Sequence, residues 1–363
     1  MISELTLTSF RNFEEKRIDF SPGTTLIVGP NASGKTNILE ATYLLVTGKS
    51  FRARVEQEMI SYDGDVTRVE GRVIMPVESV PTRLEVVLTR GKLERGGLIK
   101  ATPRKRLLVN EIPRRLIDFA GKFNVVAFRP ADLDLVTQSP SIRRKFLDSV
   151  LSSVDYEYRR ALLSYEKGLR RRNKLLLAIR DEGASRTELY FWDKLLIKNG
   201  DYAATKRAEF VDFVNTFDFV GESKYELFYD RSVISEARLK QYANAEVHAA
   251  TTLVGPHRDD ILFKLQDTKN KEQTIRGLDS FGSRGEQRMG VLWVKMAEIA
   301  FIEEKMSVRP TLLLDDIFSE LDHPHRALVG ELIGKQQTII TTADPHYANE
   351  ISDFQKIELG GKL

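Results

Sequence analysis

Three stretches of this sequence combine residue types and spacings suited to phosphate chemistry. The first, GPNASGKTN from Gly29 to Asn37, follows the apolar run TLIV and precedes a helical pattern. Glycines at 29 and 34 let the backbone fold back so that successive N–H groups face the oxygens of an anion. Lys35 adds a point charge, and the Thr36 hydroxyl is suited to ligate Mg²⁺. Strand, glycine-rich turn and helix, in that order, are the context that G-x-x-x-x-G-K-T requires. Gly29, Pro30, Asn31, Ala32, Ser33, Gly34, Lys35, Thr36 and Asn37 are therefore expected to cradle ATP or a similar nucleoside triphosphate.

The second stretch is TLLLDDIFSELD. An apolar strand ending in Asp315 would bring a carboxylate to the same Mg²⁺, and Asp316, just beyond it, would orient or deprotonate the attacking water. Paired acids after a strand also cap turns. The third stretch, SRGEQR from Ser283, runs into VLWVKMAEIAFIEE, whose apolar residues recur at helical spacing. Small residues ahead of a helix make an anion site; taken alone they also make an ordinary N-cap.

The elements that must position these groups follow from periodicity. From Met1 to about Val109 the chain reads as strands and turns around one helix, with TRVEGRVIM and RLEVVLTR suggesting an antiparallel hairpin. From Pro140 to Val220 the period is that of long amphipathic helices. After Thr252 short apolar strands return in TLVGP, DILFKLQ, PTLLLDDIF and QTIITTA. The expected fold is α/β: a P-loop ATPase head split in sequence by an inserted, mainly helical lobe. The expected division is 1–125 for the N-terminal part of the head, 126–251 for the lobe and 252–363 for its C-terminal part.

Composition narrows the class. With 363 residues, 42% hydrophobic and 29% charged, the chain has the make-up of a globular protein of more than one domain. The absence of cysteine excludes disulfides and thiolate metal sites and suits a reducing compartment. No apolar run approaches the roughly 20 residues that cross a bilayer, and MISELTLTSF lacks a signal-peptide layout. A cytoplasmic, membrane-free protein is expected. The net charge of +3 is small, but two stretches concentrate it. One holds Arg104, Lys105 and Arg106, near Lys100, Arg114 and Arg115; the other holds Arg170, Arg171, Arg172 and Lys174. Phosphate contacts from such clusters give salt-dependent, sequence-independent binding. Acids nearby, such as Glu157, Glu166 and Asp181, also fit a plain solvated helix face.

GPNASGKTNILEA, SRGEQR and LLLDDIFSELD together resemble the ABC-type ATPase heads of the SMC class. FRNF, SFRAR, FRPADLDLVTQSPSIRRKFLD, LRRRNKLL and LVGPHRDD narrow the likeness to the RecF family of bacterial recombination-mediator ATPases, over most of the chain. The resemblance implies a homodimer in which each signature closes over the γ-phosphate of the partner's ATP. Ser283, Gly285 and Gln287 would make those contacts, with a helix starting near Arg288; Ser319–Asp322 would be the D-loop and Arg11 a further nucleotide contact. It also implies a weak, DNA-stimulated ATPase of recombinational repair, replication-fork maintenance and the SOS response. Such a protein binds double-stranded and gapped DNA and works with RecR and RecO to load recombinase. The two basic clusters would be its DNA contacts.

Departures from the general ABC pattern point to slow hydrolysis. Asp316 stands where a glutamate is usual, Thr341 and Thr342 stand where many heads carry a switch histidine, and His346 falls too late for that part. No Q-loop glutamine is evident near FRPADL. A transporter's nucleotide-binding subunit would keep both features and insert a shorter helical region. An ATPase head of a DNA-processing nuclease would need a further acidic cluster or domain. A long SMC clamp would need sustained heptads. His257, Arg258, Asp259 and Asp260 lack the spacing of a metal centre and read as structural or interlobe residues; His323 and His325 read as turn residues.

Overall fold

The structure, a computed structural model, describes residues 1–75, 80–95, 98–218, 224–266, 275–320, 323–346 and 353–360; the side chains of 93–98 and 319–325 are not among those described. The chain forms two compact units, Met1–Asp132 with Ile302–Leu363, and Leu133–Phe301.

In the first unit, β1 (Ile2–Phe10) and β2 (Phe13–Asp19) make a hairpin, and β3 (Thr24–Val28) leads into α1 (Lys35–Thr47). Next come β4 (Val66–Val73), β5 (Thr82–Thr89), the small hairpin of β6 (Lys92–Arg95) and β7 (Leu98–Ala101), and β8 (Lys105–Val109). Then follow β9 (Ile112–Arg114), α2 (Leu116–Phe119) and β10 (Val125–Phe128). The second unit holds α3 (Asp134–Thr137), α4 (Pro140–Val154), α5 (Tyr156–Glu182), α6 (Leu189–Thr216), β11 (Lys224–Asp230) and α7 (Glu236–Ala249). It continues with β12 (Asp260–Gln266), β13 (Ile275–Gly277), α8 (Leu278–Phe281) and α9 (Arg284–Met306), whose last turn passes into the first unit. That unit is completed by β14 (Thr311–Asp315), α10 (Ile317–Glu320), α11 (His323–Gly330), β15 (Thr338–Thr342) and β16 (Phe354–Glu358).

Two sheets organise the first unit. One is antiparallel, in the order β2-β1-β4-β5-β8-β9; the other is parallel, in the order β10-β14-β15-β3-β16. Their sequences differ as their burial does. β4 alternates buried and exposed positions, as a sheet with one wet face requires, and pairs with β5 as the expected antiparallel hairpin. β3, β10, β14 and β15 are buried at every position and, apart from Asp315 at the end of β14, read as apolar or threonine runs. Ile38, Leu44 and Leu45 of α1 join Leu5, Leu7, Val69 and Val86 of the antiparallel sheet and Ile27, Leu313 and Ile339 of the parallel one in a single core cluster. Each fully buried aliphatic side chain there contributes about 1.5–3 kcal/mol.

The second unit departs from the expected 126–251 lobe by keeping the chain to Phe301. The reason is pairing: β12 runs antiparallel to β11 along its whole length, from Lys224↔Gln266 to Asp230↔Asp260, and β13 pairs with β12 in turn. GPHRDD is the polar centre of this unit. Arg207 donates to the Pro256 carbonyl (2.7 Å), Asp148 (2.7 Å) and Asp259 (2.9 Å), and Arg143 makes a two-pronged pair with Asp260 (2.7 and 2.8 Å). His257 Nε2–H donates to the Thr252 carbonyl (3.0 Å), leaving Nδ1 to accept from Tyr165 (2.7 Å).

Candidate nucleotide site

The glycine-rich turn is shaped by contacts that exclude side chains. Gly34 has φ 102°, and a Cβ there would lie 2.5 Å from the Phe13 ring and 2.8 Å from the Asn12 side chain. A Cβ at Gly29 would lie 2.7 Å from the Leu359 carbonyl and 2.8 Å from Ser33 Oγ. α1 starts at once after this turn, with no side-chain cap and no acid in its first turn. Its first N–H groups have no intrahelical acceptor, and its dipole favours an anion. Lys35 Nζ donates to the carbonyls of Gly29 (2.6 Å) and Pro30 (2.9 Å), and burial lowers its pKa against the pull of Asp316 and Asp315. Ser33 Oγ is buried without a hydrogen-bond partner. An orphaned hydroxyl, an ammonium resting on loop carbonyls and uncapped N–H groups together fit a polyphosphate.

The acids arrive from the far end of the sequence. In the parallel sheet β15 lies between β14 and β3, with Asp315 opposite Thr341 and Thr342 opposite Val28. This order brings Asp315 to Thr36, whose hydroxyl donates to Asp315 Oδ1 (2.8 Å). A threonine that gives its proton to the carboxylate keeps oxygen lone pairs for a cation, so the pair suits Mg²⁺. Thr341 Oγ1 donates to the same oxygen (2.9 Å). Burial raises the Asp315 pKa, and the two hydroxyls oppose that rise.

A brace surrounds the loop, joining Arg11 and Asn37 to Asn12 and Glu40, which the sequence did not single out. The turn of the β1–β2 hairpin, Arg11–Asn12, sits against it: Asn12 Nδ2 donates to the Ser33 carbonyl (3.2 Å), and Asn37 Nδ2 donates to Asn12 Oδ1 (2.6 Å). Arg11, at φ 54°, does not point freely. Its Nε and Nη2 donate to Glu40 (2.9 and 2.7 Å) and its Nη1 to the Glu58 carbonyl (2.6 Å). Glu40, on α1, is fully buried and also receives Arg52 (3.1 Å). A cavity of about 690 Å³ adjoins this brace, lined in part by Arg11, Asn12, Asn37, Ile60, Tyr62 and Arg90.

The SRGEQR stretch is a reciprocal cap. The Ser283 N–H donates to the Glu286 carboxylate (2.8 Å), and the Glu286 N–H donates to Ser283 Oγ (3.3 Å). The helix starts at Arg284 rather than near Arg288, which puts Gly285 in its first turn. Ser283, Arg284 and Gly285 are exposed, and a Cβ on Gly285 would meet nothing within 4 Å. Gln287 is buried, with its amide donating to the Leu278 (3.1 Å) and Asp279 (3.4 Å) carbonyls. Of Ser319–Asp322, residues 321–322 and the side chains of 319–320 lie outside the described residues, as do the His323 and His325 side chains.

Residues 1–360 match the RecF/RecN/SMC N terminal domain family. The DNA replication and repair protein RecF of Herpetosiphon aurantiacus is 36% identical, over 97% of this chain and 96% of its own. That of Roseiflexus castenholzii is 34% identical, over 94% and 92%. The chain belongs to the RecF family. Its fold is likewise similar to the solved structure of the recombination mediator protein RecF-ATPrS in the RecFOR pathway, with a TM-score of 0.84 at 28% identity over 98% of this chain and 96% of that one.

Within this RecF-family fold the basic clusters divide. Arg104, Arg106, Arg170 and Arg171 are exposed. Lys105 is committed to the Gly48 carbonyl and Glu56. Arg172 is buried and paired with Asp193 and Glu246, so the expectation that it meets DNA gives way to a structural one. Among the described residues there is no metal-binding cluster of histidines and acids, and no helix long and apolar enough to cross a membrane.

Proposed function

We propose that this chain is an ATP-driven DNA-binding switch of recombinational repair, active as a homodimer in which each signature closes over the partner's nucleotide. The observation that carries the reading is Gly285. Glycine is a poor helix former, costing up to about 1 kcal/mol relative to alanine in a helix interior, and here, in the first turn, no neighbour within 4 Å requires it. The cost is intelligible if another molecule must approach that backbone. Ser283 beside it is exposed, and the reciprocal cap holds it in place. Gln287 is spent inside its own unit, so Ser283 and Gly285 are the trans contacts we retain.

In the cradle, Lys35 and the first N–H groups of α1 bind the β- and γ-phosphates, and Thr36 and Asp315 hold Mg²⁺. Bound there, Mg²⁺ neutralises charge on the phosphate oxygens. Asp316 orients a water and accepts its proton as the water oxygen bonds to the γ-phosphorus and the bond to the β–γ bridging oxygen breaks, giving ADP and phosphate. The short reach of Asp316 makes that step slow, so the dimer outlives the encounter with DNA. Arg104, Arg106, Arg170 and Arg171 supply phosphate contacts without sequence preference. Double-stranded DNA beside a single-strand gap is the proposed substrate, with RecR and RecO as partners in loading recombinase.

Light scattering with Mg–ATP and a gapped duplex tests the central step. Wild type doubles its mass; Lys35→Ala and Ser283→Arg stay monomeric, while Ser283→Arg still binds one ATP per chain. Normal dimerisation of Ser283→Arg would reduce SRGEQR to a helix start.

A further inference from the structure

Thr341 is completely buried at the end of β15, directly opposite Asp315. Its side chain makes two contacts of opposite sense. Oγ1 donates to Asp315 Oδ1 at 2.9 Å, closer than the Leu314 carbonyl at 3.4 Å. The same Oγ1 accepts the Asp316 N–H at 3.2 Å, and the Thr341 carbonyl accepts that N–H at 3.1 Å. Asp316 has φ 49°, a left-handed backbone uncommon outside glycine that aspartate tolerates better than most residues. Thr341 thus grips both acids, Asp315 by its carboxylate and Asp316 by its backbone N–H.

We propose that Thr341 is a positioning residue for hydrolysis, a single buried hydroxyl that orients the metal-binding Asp315 and the water-directing Asp316 together. The proposal rests on the role assigned to Asp316 above. A hydroxyl held this way acts through the Asp315 carboxylate and the Asp316 backbone N–H. Thr36 already donates to the same Asp315 oxygen, so removing the Thr341 hydroxyl leaves that carboxylate tethered to the nucleotide loop but free to turn. The residue that loses most is Asp316, which keeps one backbone acceptor in place of two.

Thr341→Val removes the hydroxyl with little change of shape, and Thr341→Ser restores it. Thr341→Val should lower kcat about 10–100-fold, the usual effect of losing a group that orients a metal ligand. The ATP KM and the melting temperature should stay near wild type, and the ATP-dependent dimer seen by light scattering should persist longer as kcat falls. Thr341→Ser should recover kcat to within a few-fold. A wild-type kcat in Thr341→Val overturns the proposal, as does a kcat loss matched by lost ATP binding and a lowered melting temperature, or one that Thr341→Ser fails to repair. Asp316→Asn separates the two layers: wild-type turnover in that variant sinks the hydrolytic reading itself, whatever Thr341 does.

Discussion

Replacing Arg172 discriminates between a DNA contact and a structural charge. The side chain is only 2% exposed, with Nε 2.7 Å from Asp193, Nη1 2.9 Å from Thr252 Oγ1 and Nη2 2.7 Å from Glu246. Glu246 is fully buried, and its other oxygen accepts the Leu253 N–H (2.8 Å). Arg172→Ala leaves that carboxylate charged and unpaired, a loss of about 3–5 kcal/mol from a total stability of about 5–15 kcal/mol. At about 2–4 °C per kcal/mol for a unit of this size, the second unit should melt about 10 °C lower. Arg170→Ala and Arg171→Ala, on the exposed face, should change stability by less than about 0.5 kcal/mol. They should weaken binding to a gapped duplex and lower its salt slope by about 1 each. The double variant Arg172→Met/Glu246→Gln should regain more than half of the lost stability, because the stranded charge is gone. Thermal melts and DNA anisotropy across a salt series read both effects. An Arg172→Ala protein that melts within 2 °C of wild type (about 1 kcal/mol or less) yet binds DNA with a reduced salt slope would refute the buried pairing.

Two further outcomes follow from single residues. His257 is buried as the neutral ring, its pKa lowered to about 4 by desolvation, and it is faced by Tyr165, Arg144, Arg258 and Asp259. Because the folded pKa lies below the unfolded value of about 6.5, its contribution is complete above that pH and fades as pH falls toward 4. The loss is about 2 kcal/mol at pH 5. Urea unfolding at pH 8 and pH 5 should show that difference in wild type and not in His257→Gln; an equal pH slope in both would exclude it. Gly34→Ala forces a Cβ to 2.5 Å from the Phe13 ring at a left-handed φ. ATP binding by calorimetry should weaken at least about tenfold, and an unchanged affinity would mean the turn does not need its glycine.

The nucleotide loop was legible because its meaning is local: strand, turn and helix follow within one stretch of chain, and the glycines answer to contacts at Phe13, Asn12 and Leu359 that any close-packed turn of this kind creates. Asp315 was legible as the end of a buried strand, although its route to Thr36 depends on β15 lying between β14 and β3. The return of the chain to the first unit was misplaced for a different reason. β12 alternates buried and exposed residues, and that pattern is the same whichever sheet a strand joins; only its pairing with β11 assigns it to the second unit. Arg11 was read as a nucleotide contact from the likeness of FRNF to SMC-type heads; its pairing with Glu40, 29 residues further on, carries no signal of its own in the sequence.

Arg172 shows what phase reveals and residue type hides. The buried positions of α5 are Tyr158, Ala161, Tyr165, Gly168, Arg172 and Leu176, an unbroken stripe at spacings of three and four. Arg172 is in step with that stripe, while Arg170 and Arg171 are rotated out of it, so LRRRNK was never one uniform basic face. The acids that accept Arg172 stand on α6 and α7, where sequence gives no hint of the meeting. Gln287 stands instead at the head of a helix buried at every position from Met289 to Lys295, whereas Ser283 and Gly285 are exposed. A helix turns by about 100° per residue, so in a run of polar residues at most one in three or four faces inward. A polar residue in phase with an apolar stripe therefore belongs to the interior unless the helix lacks a partner, and there it must find a charge or carbonyl of its own. Arg172 has Asp193 and Glu246, and Gln287 has the carbonyls of Leu278 and Asp279.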